Sequence, residues 1–380
     1  MKLVSLSEVA SVRSGYAFKS KDWVDSGIPV VKIANIKDGF LTLDGCSFVN
    51  EAVARQATSF GLEPGDILIS MTGYIGEVAR VRDEGRMLLN QRVGRFLVTD
   101  RSRLDGDYLF HCLRDPSLKA RFAAHAHGAA QPNISAATIE QQAIPLPSLA
   151  VQRRIAGILS AYDDLIENCQ RRIQILEQMS RALYREWFVK FRYPGHESVP
   201  LVPSPLGEIP QGWEVKKLGD VLELNYGKAL KQEDRRGGDV PVFGSSGIVG
   251  QHDTALVKGP GIIVGRKGNV GSVFWCADDF YVIDTAYFVN SSLPLRFLFY
   301  VLPTLNFINS DAAVPGLSRN QAYTLEILVP PTALLEKFCA LADIFEHQAS
   351  TIQRQIRNLR RTRDLLLPRL ISGQIDLGAA

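Results

Sequence analysis

Residues 144–188 read IPLPSLAVQRRIAGILSAYDDLIENCQRRIQILEQMSRALYREWF, and residues 327–371 read ILVPPTALLEKFCALADIFEHQASTIQRQIRNLRRTRDLLLPRLI. An offset of 183 residues aligns the two stretches and matches Pro147 with Pro330 and Leu183 with Leu366. An internal repeat of this kind indicates that one structural unit occurs twice in the chain. We therefore take this pair of stretches as the feature that decides the fold.

Each copy predicts one long helix that starts after a proline-containing segment, where helices often begin. Apolar residues of the second copy recur at alternating spacings of four and three, the pattern of a coiled-coil seam, and Arg363 is the one polar residue on it. Pro368 and Gly373 predict its end. The first copy follows this spacing less strictly. Its predicted apolar face consists of Ile155, Ile158, Tyr162, Leu165, Cys169, Ile173, Leu176, Leu183 and Trp187.

About 35 helical residues make a rod on the order of 50 Å long. Two amphipathic helices that pack on separate domains are the simpler alternative. Two similar stripes of equal length favour the packing of the two copies on each other.

The composition describes an ordinary globular chain, with 380 residues, 46% hydrophobic residues and a net charge of +3. That length predicts two or three domains. The charge is too small to indicate a nucleic-acid binder by itself. No apolar run reaches the roughly 20 residues of a membrane span, so we expect a cytoplasmic protein without a membrane partner. The five cysteines include no Cys-x-x-Cys pair, which argues against a zinc site or a disulfide framework.

The segments before the two helices also resemble each other. LSEVASVRSG near the start matches LGDVLELNYG from Leu218, and DILISMTGYIGEVARV matches GIIVGRKGNVGSVFWC. Short strand-like runs and a helical stretch at 104–124 predict a mixed α/β domain. The predicted order is a first domain at 1–148, a helix at 149–192, a proline-rich linker at 193–212, a second domain at 213–330 and a helix at 331–375. The fold class is therefore α+β, with an internal repeat that can have pseudo-two-fold symmetry.

No catalytic or metal-binding motif is present. The sequence lacks a phosphate-binding loop, H-E-x-x-H, G-x-S-x-G, the Asn-Pro-Pro-aromatic motif of adenine methyltransferases and a nuclease-type Pro-Asp with Glu-x-Lys. His125 and His127 have no acidic or thiol neighbour and are interpreted as loop residues.

Glycine-rich turns at 73–76 and 265–271 are interpreted as hairpin turns rather than phosphate cradles. The second turn presents Arg266, Lys267 and Asn269, whose side chains suit base edges and phosphates. Other loops carry similar residues, although each alone could be an ordinary solvated side chain. The full set of candidate DNA-binding residues is Arg13, Tyr16, Lys19, Tyr74, Asn90, Gln91, Arg92, Gln131, Asn133, Tyr226, Lys228, Lys231, Arg266, Lys267, Asn269 and Thr285.

The sequence resembles the specificity subunit of type I restriction-modification systems over nearly its whole length. The most specific segments are LGEIPQGWEVKKLGDV at 206–221, IPLPSLAVQRRIAGILSAYDDLI at the start of the first helix and LRRTRDLLLPRLISGQI at 359–375. The first domain lacks the Pro-x-Gly-Trp entry that Pro210 to Trp213 provide for the second. Its amino-terminal edge is therefore expected to differ.

This resemblance implies two target-recognition domains joined by two long helices that pack as an antiparallel coiled coil. Each domain would contact one half of a bipartite site in double-stranded DNA. The helices would set the spacer and dock two modification subunits, which carry S-adenosylmethionine, so no cofactor is expected on this chain. Restriction subunits with motor and nuclease activity are further expected partners. The chain itself would not be an enzyme. A structural adaptor, or a stand-alone methyltransferase or nuclease, are the alternatives.

Overall fold

The structure is a computed structural model that describes residues 2–82, 85–128, 131–307 and 316–377. The chain divides into two compact units. The first comprises Met1–Cys169 with Arg354–Ala380, and the second comprises Gln170–Gln353. Each unit therefore contains a mixed α/β part and a segment of each long helix. Within the described ranges, no helix is both long and apolar enough to cross a membrane.

The first unit contains twelve short strands and four short helices before the first long helix. The strands are β1 Leu3–Ser5, β2 Ala10–Ser14, β3 Trp23–Val24, β4 Ile28–Val31, β5 Ile36–Lys37, β6 Gly39–Leu41, β7 Ser47–Val49, β8 Ile67–Ser70, β9 Val78–Arg80, β10 Leu88–Leu89, β11 Val93–Val98 and β12 Ala143–Pro145. The helices are α1 Glu51–Gln56, α2 Gly106–Leu113, α3 Pro116–Ala124 and α4 Ala136–Glu140.

These strands form three sheets, with strand orders β2-β11-β8-β9-β6-β5, β10-β4-β7-β3 and β1-β12. The helical stretch predicted at 104–124 is two helices rather than one. Arg114 caps the end of α2. Asp115 starts α3, because its Oδ1 atom accepts hydrogen bonds from the backbone N–H groups of Ser117 and Leu118. Pro116 then occupies the first turn of α3, where its missing N–H costs nothing.

The first long helix, α5, spans Leu149–Tyr184 and continues into a π-helical turn at Arg185–Val189. Residues 193–212, predicted to be a proline-rich linker, contain a β-hairpin. Its strands are β13 Leu201–Ser204 and β14 Gly207–Pro210. Tyr193 and Ile209 are buried in the core of the second unit, so this segment folds as part of that unit.

The remaining strands of the second unit are β15 Glu214–Lys217, β16 Leu222–Tyr226, β17 Val240–Gly244, β18 Gly247–His252, β19 Gly261–Gly265, β20 Val273–Cys276, β21 Tyr281–Val282, β22 Ala286–Ser291 and β23 Glu326–Val329. Its short helices are α6 Leu218–Val221, α7 Leu295–Val301 and α8 Arg319–Thr324. The strand orders are β16-β22-β19-β20, β18-β17-β21 and β15-β23.

The two units repeat the same topology. The order β2-β11-β8-β9 in the first unit corresponds to β16-β22-β19-β20 in the second, and the pair β1-β12 corresponds to β15-β23. In both units a parallel pair, β10 with β4 or β21 with β17, lies next to an antiparallel one. The predicted α+β fold with an internal repeat is confirmed.

The second long helix, α9, spans Thr332–Ser372 and includes Pro368, which was wrongly predicted to help end it. Gly373, with a φ of 76°, follows its last residue. Within the first unit α9 runs antiparallel to α5, because Arg154 bonds to Leu377 while Asp163 bonds to Arg363. Within the second unit α9 also meets α5, and Phe338 of α9 packs on Tyr184.

The seam of α9 faces inward as predicted. Phe338, Ala342, Ile352, Ile356 and Leu370 are buried, and so is Arg363. The face predicted for α5 is confirmed at Ile155 and Cys169, which are buried, and wrong at Ile158 and Leu165, which are 36% and 53% exposed. Their neighbours on the adjacent face, Leu159, Asp163 and Ile166, are buried instead.

Candidate nucleic-acid interface

Four loops of the first unit converge at the ends of β2, β8 and β11. The N–H of Tyr16 donates to the carbonyl of Leu89 at 2.8 Å, and the N–H of Gln91 donates back to Tyr16 at 2.9 Å. The loop after β2 is thereby tied to the turn that precedes β11. Both segments contain candidate residues, so the fold brings together positions that lie far apart in the sequence.

The hairpin turn between β8 and β9 joins the same surface. The N–H of Met71 donates to the carbonyl of Arg92 at 3.0 Å, and the N–H of Gly73 donates to Pro132 at 2.9 Å. The Thr72 hydroxyl donates to Oδ1 of Asn133 at 2.8 Å. The prediction that this glycine-rich segment is a hairpin turn is confirmed, because β8 and β9 pair antiparallel on either side of it.

The second unit assembles its loops through corresponding bonds. The N–H of Lys228 donates to Val282, and the N–H groups of Arg266 and Lys267 both donate to the carbonyl of Thr285. The N–H of Leu317 then donates to Arg266 at 2.8 Å. The predicted turn at 265–271 connects β19 to β20, which pair antiparallel, so it too is a hairpin turn.

One glycine in each unit permits the close approach of two loops. A Cβ atom on Gly15 would lie 2.2 Å from the carbonyl oxygen of Leu89, and one on Gly227 would lie 2.2 Å from that of Ile283. A side chain at either position would force the loops apart. The glycines that the sequence analysis aligned therefore have the same role in both units.

The candidate residues differ in their access to a ligand. Tyr16, Arg266, Lys267 and Thr285 are half-buried, and Asn90 is buried at 8% exposure. Oδ1 of Asn90 accepts a hydrogen bond from the backbone of Arg92, which fits a role in holding the turn. The exposed candidates are Arg13, Lys19, Tyr74, Gln91, Arg92, Gln131, Asn133, Tyr226, Lys228, Lys231 and Asn269.

The second unit holds two arginines against a tyrosine. The guanidinium carbon of Arg266 lies 4.8 Å from the ring centroid of Tyr226, and that of Arg319 lies 4.5 Å from the same centroid. Tyr287 packs on Tyr226 with ring centroids 5.0 Å apart. Sequence reasoning missed Arg319 and Tyr287, since only the fold brings α8 and β22 to the end of β16.

Both guanidinium groups of this cluster contribute positive charge. Among the described residues, neither Arg266 nor Arg319 forms an ion pair with a carboxylate. Burial raises the pKa of Tyr287 to about 12, so its phenol stays neutral. The guanidinium groups instead donate to backbone carbonyls, from Arg266 to Asp284 and from Arg319 to Leu224. The cluster is therefore a positive surface suited to an electron-rich partner.

The histidine pair of the first unit takes part in local backbone structure. Nδ1 of His125 donates to the carbonyl of Arg121 at 2.8 Å, and the backbone of His127 pairs with that of Asn133. A search of the described ranges found no group of three or more His, Cys, Asp or Glu side chains placed to hold a metal ion.

Fold and loop surfaces together define a tandem-repeat protein with one polar loop surface on each unit. The family model of the type I restriction modification DNA specificity domain matches residues 1–178 and 210–333. The chain belongs to this family.

Individual relatives agree with this assignment along most of the chain. The specificity subunit of the type I restriction enzyme MjaIX from Methanocaldococcus jannaschii is 25% identical over 410 aligned residues, which cover 98% of this chain and 92% of the relative. The HindI specificity subunit from Haemophilus influenzae is 24% identical and covers 67% of this chain and 74% of its own length. The crystal structure of a type I restriction-modification S subunit from M. genitalium matches with a TM-score of 0.57 and 17% identity, over 97% of this chain and 96% of that one.

Proposed function

We propose that this chain is the sequence-recognition subunit of a type I restriction-modification complex, and that each unit contacts one half of a bipartite site in double-stranded DNA. One observation carries the proposal. The same loops converge in both units through the same backbone bonds, yet they present different side chains. A duplicated scaffold with two different polar surfaces is suited to two different half-sites.

The proposed contacts are the exposed and half-exposed polar residues of these loops. Arginine can bond guanine, asparagine and glutamine can bond adenine, and lysine can bond phosphate or guanine. Asn90, Tyr16 and Thr285 are better suited to positioning, because Asn90 and Thr285 accept backbone hydrogen bonds and Tyr16 packs on Phe18 and Phe60.

We further propose that the chain is not itself an enzyme and carries no cofactor. S-adenosylmethionine would be bound by two modification subunits, and motor and nuclease activities would belong to restriction subunits. The long helices offer surface for partners, because several of their large apolar side chains are exposed. These are Leu165, Ile175, Met179, Leu341, Ile344 and Leu365. Exposed apolar side chains of this kind often mark protein contacts.

The helices are also proposed to set the spacer between the half-sites. With 36 residues, α5 is about 54 Å long. One heptad inserted into both helices would add about 10 Å to each. Such a variant is expected to methylate sites with a longer spacer, and an unchanged spacer would contradict this assignment.

Methylome sequencing tests the proposal directly. Cells that express this chain with its modification subunits are expected to show one bipartite methylated sequence, which disappears when the chain is omitted. Exposed apolar helix faces would also suit a structural adaptor. Electrophoretic mobility shifts of DNA by the modification subunits, with and without this chain, distinguish a recognition subunit from an adaptor. An adaptor would leave the sequence preference of the modification subunits unchanged. S-adenosylmethionine binding by this chain alone would instead support a stand-alone methyltransferase.

A further inference from the structure

Four corresponding positions around the loops are occupied very differently in the two units. Tyr226 pairs with Tyr287 across β16 and β22, and at the same register in the first unit Ser14 pairs with Gly94 across β2 and β11. The glycines that follow Ser14 and Tyr226 support this equivalence. The N–H of Gly15 donates to the carbonyl of Val93, and the N–H of Gly227 donates to the carbonyl of Ala286, both at 3.2 Å.

The other two positions are matched in the same way. Met71 directly follows β8, and Arg266 directly follows β19. The N–H of Met71 donates to the carbonyl of Arg92, and the N–H of Arg266 donates to the carbonyl of Thr285. Ala136 and Arg319 are each the first residue of a short helix that follows a serine. The second unit therefore has Tyr226, Arg266, Tyr287 and Arg319 where the first has Ser14, Met71, Gly94 and Ala136.

In the first unit these positions carry no charge, and Ser14, Met71 and Gly94 lie close together. Met71 is buried at 6% exposure, and its sulfur lies 3.8 Å from the Ser14 hydroxyl oxygen. A Cβ atom on Gly94 would lie 3.0 Å from that sulfur and 2.7 Å from Val12. The position of Gly94 therefore leaves no room for an aromatic ring, and none of the four residues carries a charge.

In the second unit the same positions form a stack of rings and cations, in which Tyr287 is buried, Tyr226 is 47% exposed and both arginines are half-buried. Arg266 also lies 5.8 Å from the ring of Tyr287, so its guanidinium contacts both tyrosines. Stacking on an aromatic face orients a guanidinium and leaves its planar edge of N–H donors available. The two arginines share one ring, and neither is ion-paired with a carboxylate among residues 2–82, 85–128, 131–307 and 316–377. An acceptor-rich partner would stabilise this arrangement.

We propose that the Arg266–Tyr226–Arg319 stack recognises a guanine in the half-site bound by the second unit, and that the first unit has no equivalent guanine contact at these positions. This inference rests on the proposed DNA-recognition function. Guanine offers O6 and N7 on one edge, which match two parallel N–H donors of a fixed guanidinium. Phosphate would need only positive charge and could be bound by mobile lysines. The anchoring of both arginines to backbone carbonyls and to one ring therefore favours the base edge.

The test replaces residues of the cluster in the second unit by the residues at the corresponding positions of the first unit, one position at a time. The variants are Arg266→Met, Arg319→Ala and Tyr226→Ser, each assembled with the modification subunits. Methylation rates are measured on a library that varies every position of both half-sites. Each variant is expected to lose discrimination at one and the same base pair of the second half-site, by roughly 5- to 150-fold. Tyr226→Phe, which keeps the ring, should retain the wild-type preference.

The control is Lys216→Ala, which removes one positive charge from β15, where Lys216 pairs with Glu214. It should leave both half-sites unchanged. A uniform loss of binding to all sequences, with a weaker salt dependence and no relaxed base pair, would show phosphate contacts and overturn the guanine assignment. Relaxation in the first half-site would overturn it as well, because the stack belongs to the second unit. If the wild-type complex methylates no bipartite site, the proposed function itself fails.

Discussion

Asp163 of α5 and Arg363 of α9 form a buried ion pair, with 2.6 Å between Oδ1 of Asp163 and Nη1 of Arg363. Arg114 donates to the other carboxylate oxygen at 2.5 Å, so the aspartate bridges two arginines. Burial alone would raise the pKa of Asp163, but the charges and hydrogen bonds of the two arginines outweigh it and lower the pKa. The arginine that interrupts the apolar seam therefore has its partner within the chain.

Replacement of Asp163 by alanine tests this bridge. It would leave the buried guanidinium of Arg114 without its carboxylate partner and Arg363 with only the exposed Asp364, and we expect the free energy of unfolding of the first unit to fall by about 3–5 kcal/mol. Denaturant titration measures the change. Asp364→Ala is the matched control, because Asp364 also bonds Arg363, at 2.8 Å, but its side chain is 60% exposed. Exposed pairs contribute little, so equal effects of the two substitutions would contradict a special role for the buried bridge.

Stability is also expected to depend on pH through His111. Its burial lowers the pKa to about 3, and Nε2 lies 2.9 Å from the Ser160 hydroxyl oxygen. A histidine in the unfolded chain has a pKa of about 6.5. Between these values the unfolded state binds a proton that the folded state does not, so stability falls as the pH drops, by up to about 1.4 kcal/mol per pH unit.

The measurement compares unfolding at pH 7 and pH 5 for the wild type and for His111→Gln. The wild type should lose about 2 kcal/mol over this interval from this group, and the variant should lose correspondingly less. His347→Gln, at an exposed position of α9, is the control. Because the pKa of Asp163 is lowered, its contribution is fully present above the unfolded value of about 3.9 and is lost only as the pH falls from there through the lower folded pKa. If His111→Gln retained the full loss of unfolding free energy between pH 7 and pH 5, His111 would be excluded as the source of that loss.

The sequence predicted the repeated topology because its evidence is local and periodic. Glycine turns, short strand-like runs and the second seam are all visible in short windows. The apolar pattern of α5 predicts a buried face that includes Ile158 and Leu165. It passes over Asp163, which lies on the buried face, because an aspartate is polar. An apolar pattern cannot detect a buried carboxylate whose partners, Arg114 and Arg363, lie elsewhere in the chain.

The loop surfaces were predictable to a similar extent. Glycines and polar side chains in the sequence selected a set of candidate loops, and the structure brings those loops together in each unit. Arg319 was missed because its bond to Leu224 joins positions 95 residues apart. Asn90 was proposed as a base contact because of its residue type alone, whereas its burial depends on how the turn before β11 packs.

The hairpin turn of the second unit gives a prediction about half-site specificity. Combined replacement of Arg266, Lys267 and Asn269 by alanine is expected to relax the second half-site and to weaken the salt dependence of binding. Tyr74 occupies the position of Asn269 in the first unit and is 81% exposed, so Tyr74→Ala should affect the first half-site alone. Competition binding with duplexes altered in one half-site distinguishes the two effects. Unchanged affinity, salt dependence and specificity in the triple variant would exclude this turn from the interface.

Gly15 and Gly227 provide the matched pair that tests whether the two units function independently. In each, an added Cβ atom would lie 2.2 Å from a carbonyl oxygen of the neighbouring loop, and the required shift should cost about 1–3 kcal/mol. Gly15→Ala should therefore reduce recognition of the first half-site and Gly227→Ala that of the second, each measured as methylation of a two-half-site library. Gly157→Ala is the control, because nothing lies within 4 Å of the added atom and alanine stabilises a helix interior by about 0.5–1 kcal/mol. If both glycine variants impaired the same half-site, the assignment of one half-site to each unit would be wrong.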